Sequence, residues 1–188
     1  MAELTPELVT QRLVLRPVDR RDIARIATLA NDVRIAETTR SLPHPLTSDL
    51  VTRWFDDLAA RRERAFAVVL KDENVLIGVV AVTLAPDSKS AEIGYWLGYD
   101  YWGHGYMTEA VRRIARHAFG DLKLTALEAG VIPGNERSVG VLVKAGFDVE
   151  GRGTRLAPAR GGERDVLLFK ATRASFARAA LSQAVGRE

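Results

Sequence analysis

Apolar positions recur every second residue in some stretches and every third or fourth in others, and the switches between these periods outline the elements. In Thr10–Arg16, Leu13 and Leu15 share one face, which predicts a strand stopped by Pro17. Asp19 or Asp22 is placed to cap a helix bearing Ile23, Ile26, Ala27 and Ala30. Asn31 to Pro45 is polar and irregular, a short helix and a loop. Thr47 is a good N-cap for a longer helix with the stripe Leu50, Val51, Trp54, Phe55 and Leu58. Ala65–Leu70, Val75–Leu84 and Ala91–Leu97 read as strands joined by the turns Lys71–Asn74 and Ala85–Ser90, an antiparallel meander.

The period then lengthens. From Tyr106 to Phe119 the apolar residues Met107, Ala110, Val111, Ile114, Ala115 and Ala118 define an amphipathic helix, with His117 expected to be exposed. Leu122–Val131 reads as a strand and Asn135–Ala145 as a helix ended by Gly146. Phe147–Leu156 and Asp165–Ala171 are two final strands around a basic loop with Arg160 and Arg164. A strand–helix–strand unit after a meander makes a mixed α/β (α+β) sheet with helices on its faces. The length suits one domain over 1–188, with a core of about 10–172 and a tail from 173 that carries a short helix.

Composition narrows the function classes. The chain has no cysteine, which removes disulfides and a thiol nucleophile and fits a reducing, cytoplasmic setting. No apolar run approaches the ~20 residues needed to cross a bilayer, and the acidic N-terminus is no signal peptide. The net charge of +3 is small and scattered, so it suits an anionic ligand better than nucleic acid or membrane. The histidines, His44, His104 and His117, lack metal-ligand spacing, so no metal is expected. No Gly-x-Ser-x-Gly elbow is present.

The chemically informative stretch is Tyr99–Ala110, a glycine-containing turn between a strand and a helix. The first amides of a helix have no intrahelical partners, and the dipole adds positive character there. Gly103 and Gly105 let a bulky anion approach the backbone, so the turn reads as a diphosphate cradle. It lacks the Gly-Lys-Ser/Thr of a P-loop, and Thr108 stands where a dinucleotide fingerprint wants a third glycine. Read alone, this turn is compatible with an ordinary strand-to-helix connection.

Three segments in order resemble one family. AEIGYWLGYDYWGHGYMTEA (Ala91–Ala110), Asn135–Ser138 through Lys144–Phe147, and QRLVLRP (Gln11–Pro17) are similar to the GNAT acetyltransferases, and most to the branch of ribosomal-protein N-terminal acetyltransferases (Rim-type). The resemblance implies transfer of an acetyl group from acetyl-CoA to a primary amine, either a protein N-terminus or a small amine. It implies that the strand Ala91–Leu97 splays from its neighbour at a bulge, that pantetheine pairs with backbone at Trp96, Leu97 and Gly98, and that Gly103, His104, Gly105, Tyr106, Met107 and Thr108 hold the diphosphate. Asn135 would touch pantetheine, and Ser138 would serve as acid toward the thiolate. Trp102 replaces the Arg or Gln common in the family, and Met107 the usual Gly or Ala. Glu92 is the first candidate for the base, with Glu128 and Glu150 behind it. The oxyanion donor is expected at a backbone amide near Trp96 or Leu97. The acceptor side falls to Asn31–Trp54 and Arg152–Arg164, where the arginines read either as a solvated hairpin or as recognition of an acidic acceptor or CoA phosphate. Family habit suggests a homodimer. A CoA-binding sensor without catalysis and a basic RNA-binding protein are the rival readings.

Overall fold

A computed structural model describes residues 6–185. Eight strands form one sheet in the order β1-β2-β3-β4-β5-β6-β8-β7. They are β1 (Leu8–Val9), β2 (Leu13–Pro17), β3 (Glu63–Leu70), β4 (Val75–Leu84), β5 (Ser90–Leu97), β6 (Ala126–Val131), β7 (Asp148–Ala157) and β8 (Gly162–Thr172). The helices are α1 (Ile23–Ala30), α2 (Val33–Thr38), α3 (Ser48–Asp57), α4 (Tyr106–Gly120), α5 (Glu136–Lys144) and α6 (Arg173–Val185). All neighbouring strands pair antiparallel except β5 and β6, which run parallel. This is the mixed sheet the periodicity predicts.

Each face of the sheet buries its own core. Leu13, Leu15, Phe66, Val68, Ile77, Val80 and Ile93 pack against Ala110, Val111, Ile114 and Ala118 of α4 and Leu142 of α5. On the other face Ala65, Ala67, Val69 and Val79 pack against Ile26, Ala27 and Ala30 of α1 and Val51 of α3. Side chains in β3 alternate between the two clusters, as the two-residue strand period requires, and Phe66–Leu70 is buried throughout. Met107 is buried in the first core, as its helical spacing predicts.

Several expectations are corrected. His117 is buried, at 5% exposure. It lies seven residues after Ala110 and three after Ile114, on the stripe that faces the sheet. Its ring meets Phe66 edge-on at 6.4 Å, and Nδ1 lies 2.7 Å from Asp121 Oδ2. The strand after α4 begins at Ala126 rather than Leu122, because Lys123 takes a left-handed φ of 57°. β8 starts at Gly162, so Arg164 stands in a strand opposite Arg155 rather than in a loop. β1, only two residues long, was below what periodicity detects.

The position of the bulge also differs. β5 holds continuous register with β4 from Leu84↔Ala91 to Gly78↔Leu97. The register slips instead between β3 and β4, where Val68 pairs with Gly78 but Val69 with Leu76, so Ile77 is the extra residue. The opening lies on the other edge of β5. Its pairing with β6 ends at Glu92↔Glu128, and beyond that point the two strands diverge.

Candidate functional site

The divergence of β5 from β6 opens a cleft of about 410 Å³. Trp96 and Leu97 form its β5 wall, Gly103, Gly105, Tyr106, Met107 and Thr108 the start of α4, and Asn135 and Ser138 the start of α5. The structure thus brings most of the expected cofactor residues together. Gly98, His104 and Glu92 are not among the lining residues.

The cradle is built by omission. Thr47 caps α3, Asp32 caps α2 and Asn135 caps α5 with side-chain acceptors, but Gly105 at the start of α4 offers none. Gly103 and Gly105 have φ values of 81° and 78°, a left-handed region that other residues rarely adopt. Gly105 O accepts the Glu109 amide at 3.1 Å, while the Tyr106–Thr108 amides have no partner within the helix. A Cβ at Gly103 would meet nothing within 4 Å. Open donors, a helix dipole and free space fit a diphosphate.

Arg12, 92 residues earlier in the chain, holds this turn from behind. Its Nη1 donates to His104 O at 3.0 Å, its Nε donates to Glu109 Oε2 at 2.8 Å, and its amide donates to Glu109 Oε1 at 2.9 Å. The guanidinium also lies 4.5 Å from the Tyr106 ring centroid. Removal from water raises the Glu109 pKa, and bonds from Thr10 and Arg12 outweigh that, so the net shift is downward. His104 is exposed; its carbonyl is used rather than its ring. Trp102, at the family's Arg or Gln position, donates from Nε1 to Leu97 O at 2.9 Å, and the Arg137 guanidinium stands 5.1 Å from its ring. This places a cation at the rim of the cleft.

Strand geometry decides which β5 groups face the cleft. The Gly98 amide donates to Ile77 O on β4 at 2.9 Å. Backbone groups alternate sides along a strand, so the Leu97 amide points to the open edge and the Trp96 amide points back into the sheet. Asn135 has a structural duty: Oδ1 accepts the Ser138 amide at 3.1 Å and Nδ2 donates to Thr38 O at 3.3 Å, tying α5 to the end of α2.

Ser138 Oγ has a partner that the sequence reading missed. Tyr95 Oη lies 2.8 Å from it and 3.3 Å from Ser138 O. Burial pushes the Tyr95 phenol well above its ordinary value, and the bond to Ser138 only partly opposes this. The signal was available: Tyr95 falls on the same face as Ile93 and Leu97, and a hydroxyl on an apolar face needs a partner.

Glu92, three residues before Tyr95, lies on the opposite face of β5. Glu92 pairs with Arg40, which also donates to Leu156 O at 3.0 Å. Glu128 is 3.7 Å from Arg155, and Glu150 is exposed on β7. Arg160 donates to Ala36 O and Leu42 O, and the Ala159 amide donates to Arg40 O at 3.3 Å. The tip between β7 and β8 is thereby latched onto the segment after α2. Arg152 and Arg164 remain exposed. Among the described residues no group of three His, Cys, Asp or Glu side chains is placed to hold a metal, and no helix is long and apolar enough to cross a membrane.

The acetyltransferase (GNAT) domain family matches residues 12–148. The chain belongs to the GNAT acetyltransferase family. It is accordingly an N-acetyltransferase that moves an acetyl group from acetyl-CoA to an amine. It is 28% identical over 174 residues to the uncharacterized N-acetyltransferase p20 of Bacillus licheniformis, covering 90% of this chain and 98% of that one. The structure of RimL, a ribosomal alpha-N-protein acetyltransferase in complex with coenzyme A, superposes with a TM-score of 0.74 at 20% identity, covering 89% and 98% of the two chains. AAC(6')-Ib in complex with ribostamycin and coenzyme A superposes with a TM-score of 0.76 at 22% identity, covering 89% and 97%. At these identities the two structures establish the fold of this GNAT enzyme rather than its acceptor.

Proposed function

We propose that this enzyme takes acetyl-CoA into the cleft between β5 and β6 and the amine from the opposite, α1–α3 side. The observation that carries the reading is the divergence of the strands beyond Glu92, directly in front of a helix start that no side chain caps. The amides from Gly103 to Thr108 hold the diphosphate, with Arg137 adding charge at the rim. The pantetheine arm runs along the free edge of β5, from Leu97 toward Tyr95.

The amine nitrogen attacks the thioester carbonyl carbon. The Leu97 amide, which faces the open edge, receives the oxyanion. Collapse breaks the carbon–sulfur bond and leaves the electron pair on sulfur, where the Ser138 hydroxyl donates. Glu92, the last β5 residue paired with β6, removes the amine proton through water from the acceptor side. Asn135 positions Ser138 through the helix cap rather than by contact with pantetheine alone.

The acceptor is a primary amine that enters beside the latched β7–β8 tip. A protein N-terminus, as in RimL, and a small amine, as in AAC(6')-Ib, both have this form. A homodimer in the cytoplasm completes the reading; the cysteine-free composition supports the compartment, and light scattering tests the assembly. A silent sensor would have no use for a hydroxyl pair beside the thioester path. The test is thiol release from acetyl-CoA across a panel of peptide N-termini and small amines. Turnover should fall by about 100-fold in Ser138→Ala, the lower end for loss of one acid–base group. Normal rates in Ser138→Ala, or no turnover with the whole panel, would overturn the assignment.

A further inference from the structure

The Tyr95–Ser138 pair spans the slot from β5 to α5, and it lies where the leaving sulfur passes in the reading proposed above. Tyr95 Oη is 2.8 Å from Ser138 Oγ, with the Ser138 carbonyl farther off at 3.3 Å. Both residues line the cleft. The Ser138 amide is already held by Asn135, which sets the start of α5 and with it the hydroxyl. A serine hydroxyl has one proton and two acceptor positions. When the phenol donates to Oγ, one acceptor position is filled and the serine proton is free to point elsewhere. The direction open to it is the cleft.

We infer that Tyr95 is a positioning residue that donates to Ser138 Oγ, aims the Ser138 proton at the sulfur and strengthens it as a donor to the departing thiolate. The phenol does not ionise in this role. The electron pair of the broken carbon–sulfur bond stays on sulfur, Ser138 shares its proton with that pair, and Tyr95 shares its own with Ser138. Donor chains of this kind polarise one another, so the second donor acts through the first. Burial keeps the phenol in its protonated, donating form. This also gives a role to a hydroxyl that would otherwise stand on an apolar strand face.

The inference rests on acetyl-CoA binding in this cleft, and the test separates the two. Coenzyme A itself is the probe. Its thiol is titrated on the enzyme by thiolate absorbance, with affinity measured in parallel by calorimetry. On the wild type the bound thiol should titrate below free coenzyme A. Tyr95→Phe should raise that midpoint by about one pH unit, a tenfold change, while coenzyme A affinity below the midpoint and the melting temperature stay near wild type. Ser138→Ala should raise it by at least as much, and Tyr95→Phe added to Ser138→Ala should change nothing further, since residues acting through one another are not additive. With a selenoester analogue of acetyl-CoA, whose selenolate leaves readily without a proton, the Tyr95→Phe rate deficit should shrink. Binding with an unaltered thiol midpoint in Tyr95→Phe, or equal losses on thioester and selenoester, overturns the role of Tyr95 alone. Absence of coenzyme A binding by the wild type removes the cleft assignment as well.

Discussion

Gly78→Ala tests whether the open edge of β5 is held where the chemistry needs it. Gly78 sits on β4 opposite Leu97, next to the bulged Ile77. A Cβ there would press on the Trp96 carbonyl oxygen and stand 2.7 Å from Leu97 Cδ2 and 3.0 Å from Leu97 Cα. The methyl can turn away, but the carbonyl and the Cα are backbone. The two strands must therefore separate by several tenths of an ångström. β5 has no neighbouring strand on its far side at this level, because its pairing with β6 has ended at Glu92, and only the Trp102 indole bonds to Leu97 O there. It moves into the cleft. Overpacking of this kind costs about 1–3 kcal/mol, and for a chain of this size each kcal/mol lowers Tm by about 2–4 °C. The displacement also moves the Leu97 amide, and misplacement of about 1 Å costs up to ~100-fold in rate. Gly98→Ala is the control. The three nearest atoms to its Cβ all belong to the Leu29 side chain, Cδ1 first and then Cγ at 2.9 Å, and a side chain gives way by rotation where backbone does not. Calorimetric melting and thiol-release assays should show a lower Tm and a rate loss of roughly 10- to 100-fold in Gly78→Ala, and far smaller effects in Gly98→Ala. A Gly78→Ala protein with wild-type Tm and rate, or a Gly98→Ala protein worse than it, would refute the reasoning.

Arg12→Ala should weaken coenzyme A about tenfold, or ~1.4 kcal/mol, by freeing the His104–Gly105 turn, with little change in Tm because its ion pair is partly exposed; unchanged affinity in calorimetry would show that the turn holds itself. Asn135→Ala should cost about 1 kcal/mol through the lost α5 cap and also lower turnover, whereas a stability loss with full activity would separate the cap from Ser138. Glu109→Gln gives a pH test. The folded-state pKa of Glu109 is depressed, so its contribution is present above the unfolded value and is lost as pH falls through the folded one. Wild type should exceed Glu109→Gln in urea midpoint near neutrality, with the gap closing as pH drops from about 5 toward 3; a gap independent of pH would rule this out.

Local chemistry was readable wherever neighbours in sequence are also neighbours in space. The α4 stripe, the cap at Thr47, the helix opening at Asn135 and the glycine turn before Tyr106 depend on spacings of a few residues. His117 was misread although its spacing was on the page, because a polar ring was expected to prefer water over the position its helix assigns it. Pairings across long separations left no such trace. Arg12 meets Glu109 across 97 residues, Tyr95 meets Ser138 across 43, and Arg160 meets Ala36 across 124. Each depends on which strands become neighbours and which strand edge faces the gap. The bulge shows the same limit: any residue of β4 or β5 could carry the slip as far as side-chain alternation tells, and only the paired backbone puts it at Ile77.

The amino-acid order alone therefore determined most of the elements, the glycine-containing start of α4 and, through three ordered segments, the family. Folding decided which amide of β5 faces the open edge, what holds the glycine turn from behind, and that the side chains of Glu92 and Tyr95 leave β5 on opposite faces. The reason is that periodicity encodes burial along one element, whereas strand pairing, and with it the direction of every backbone donor, is settled only when distant segments dock.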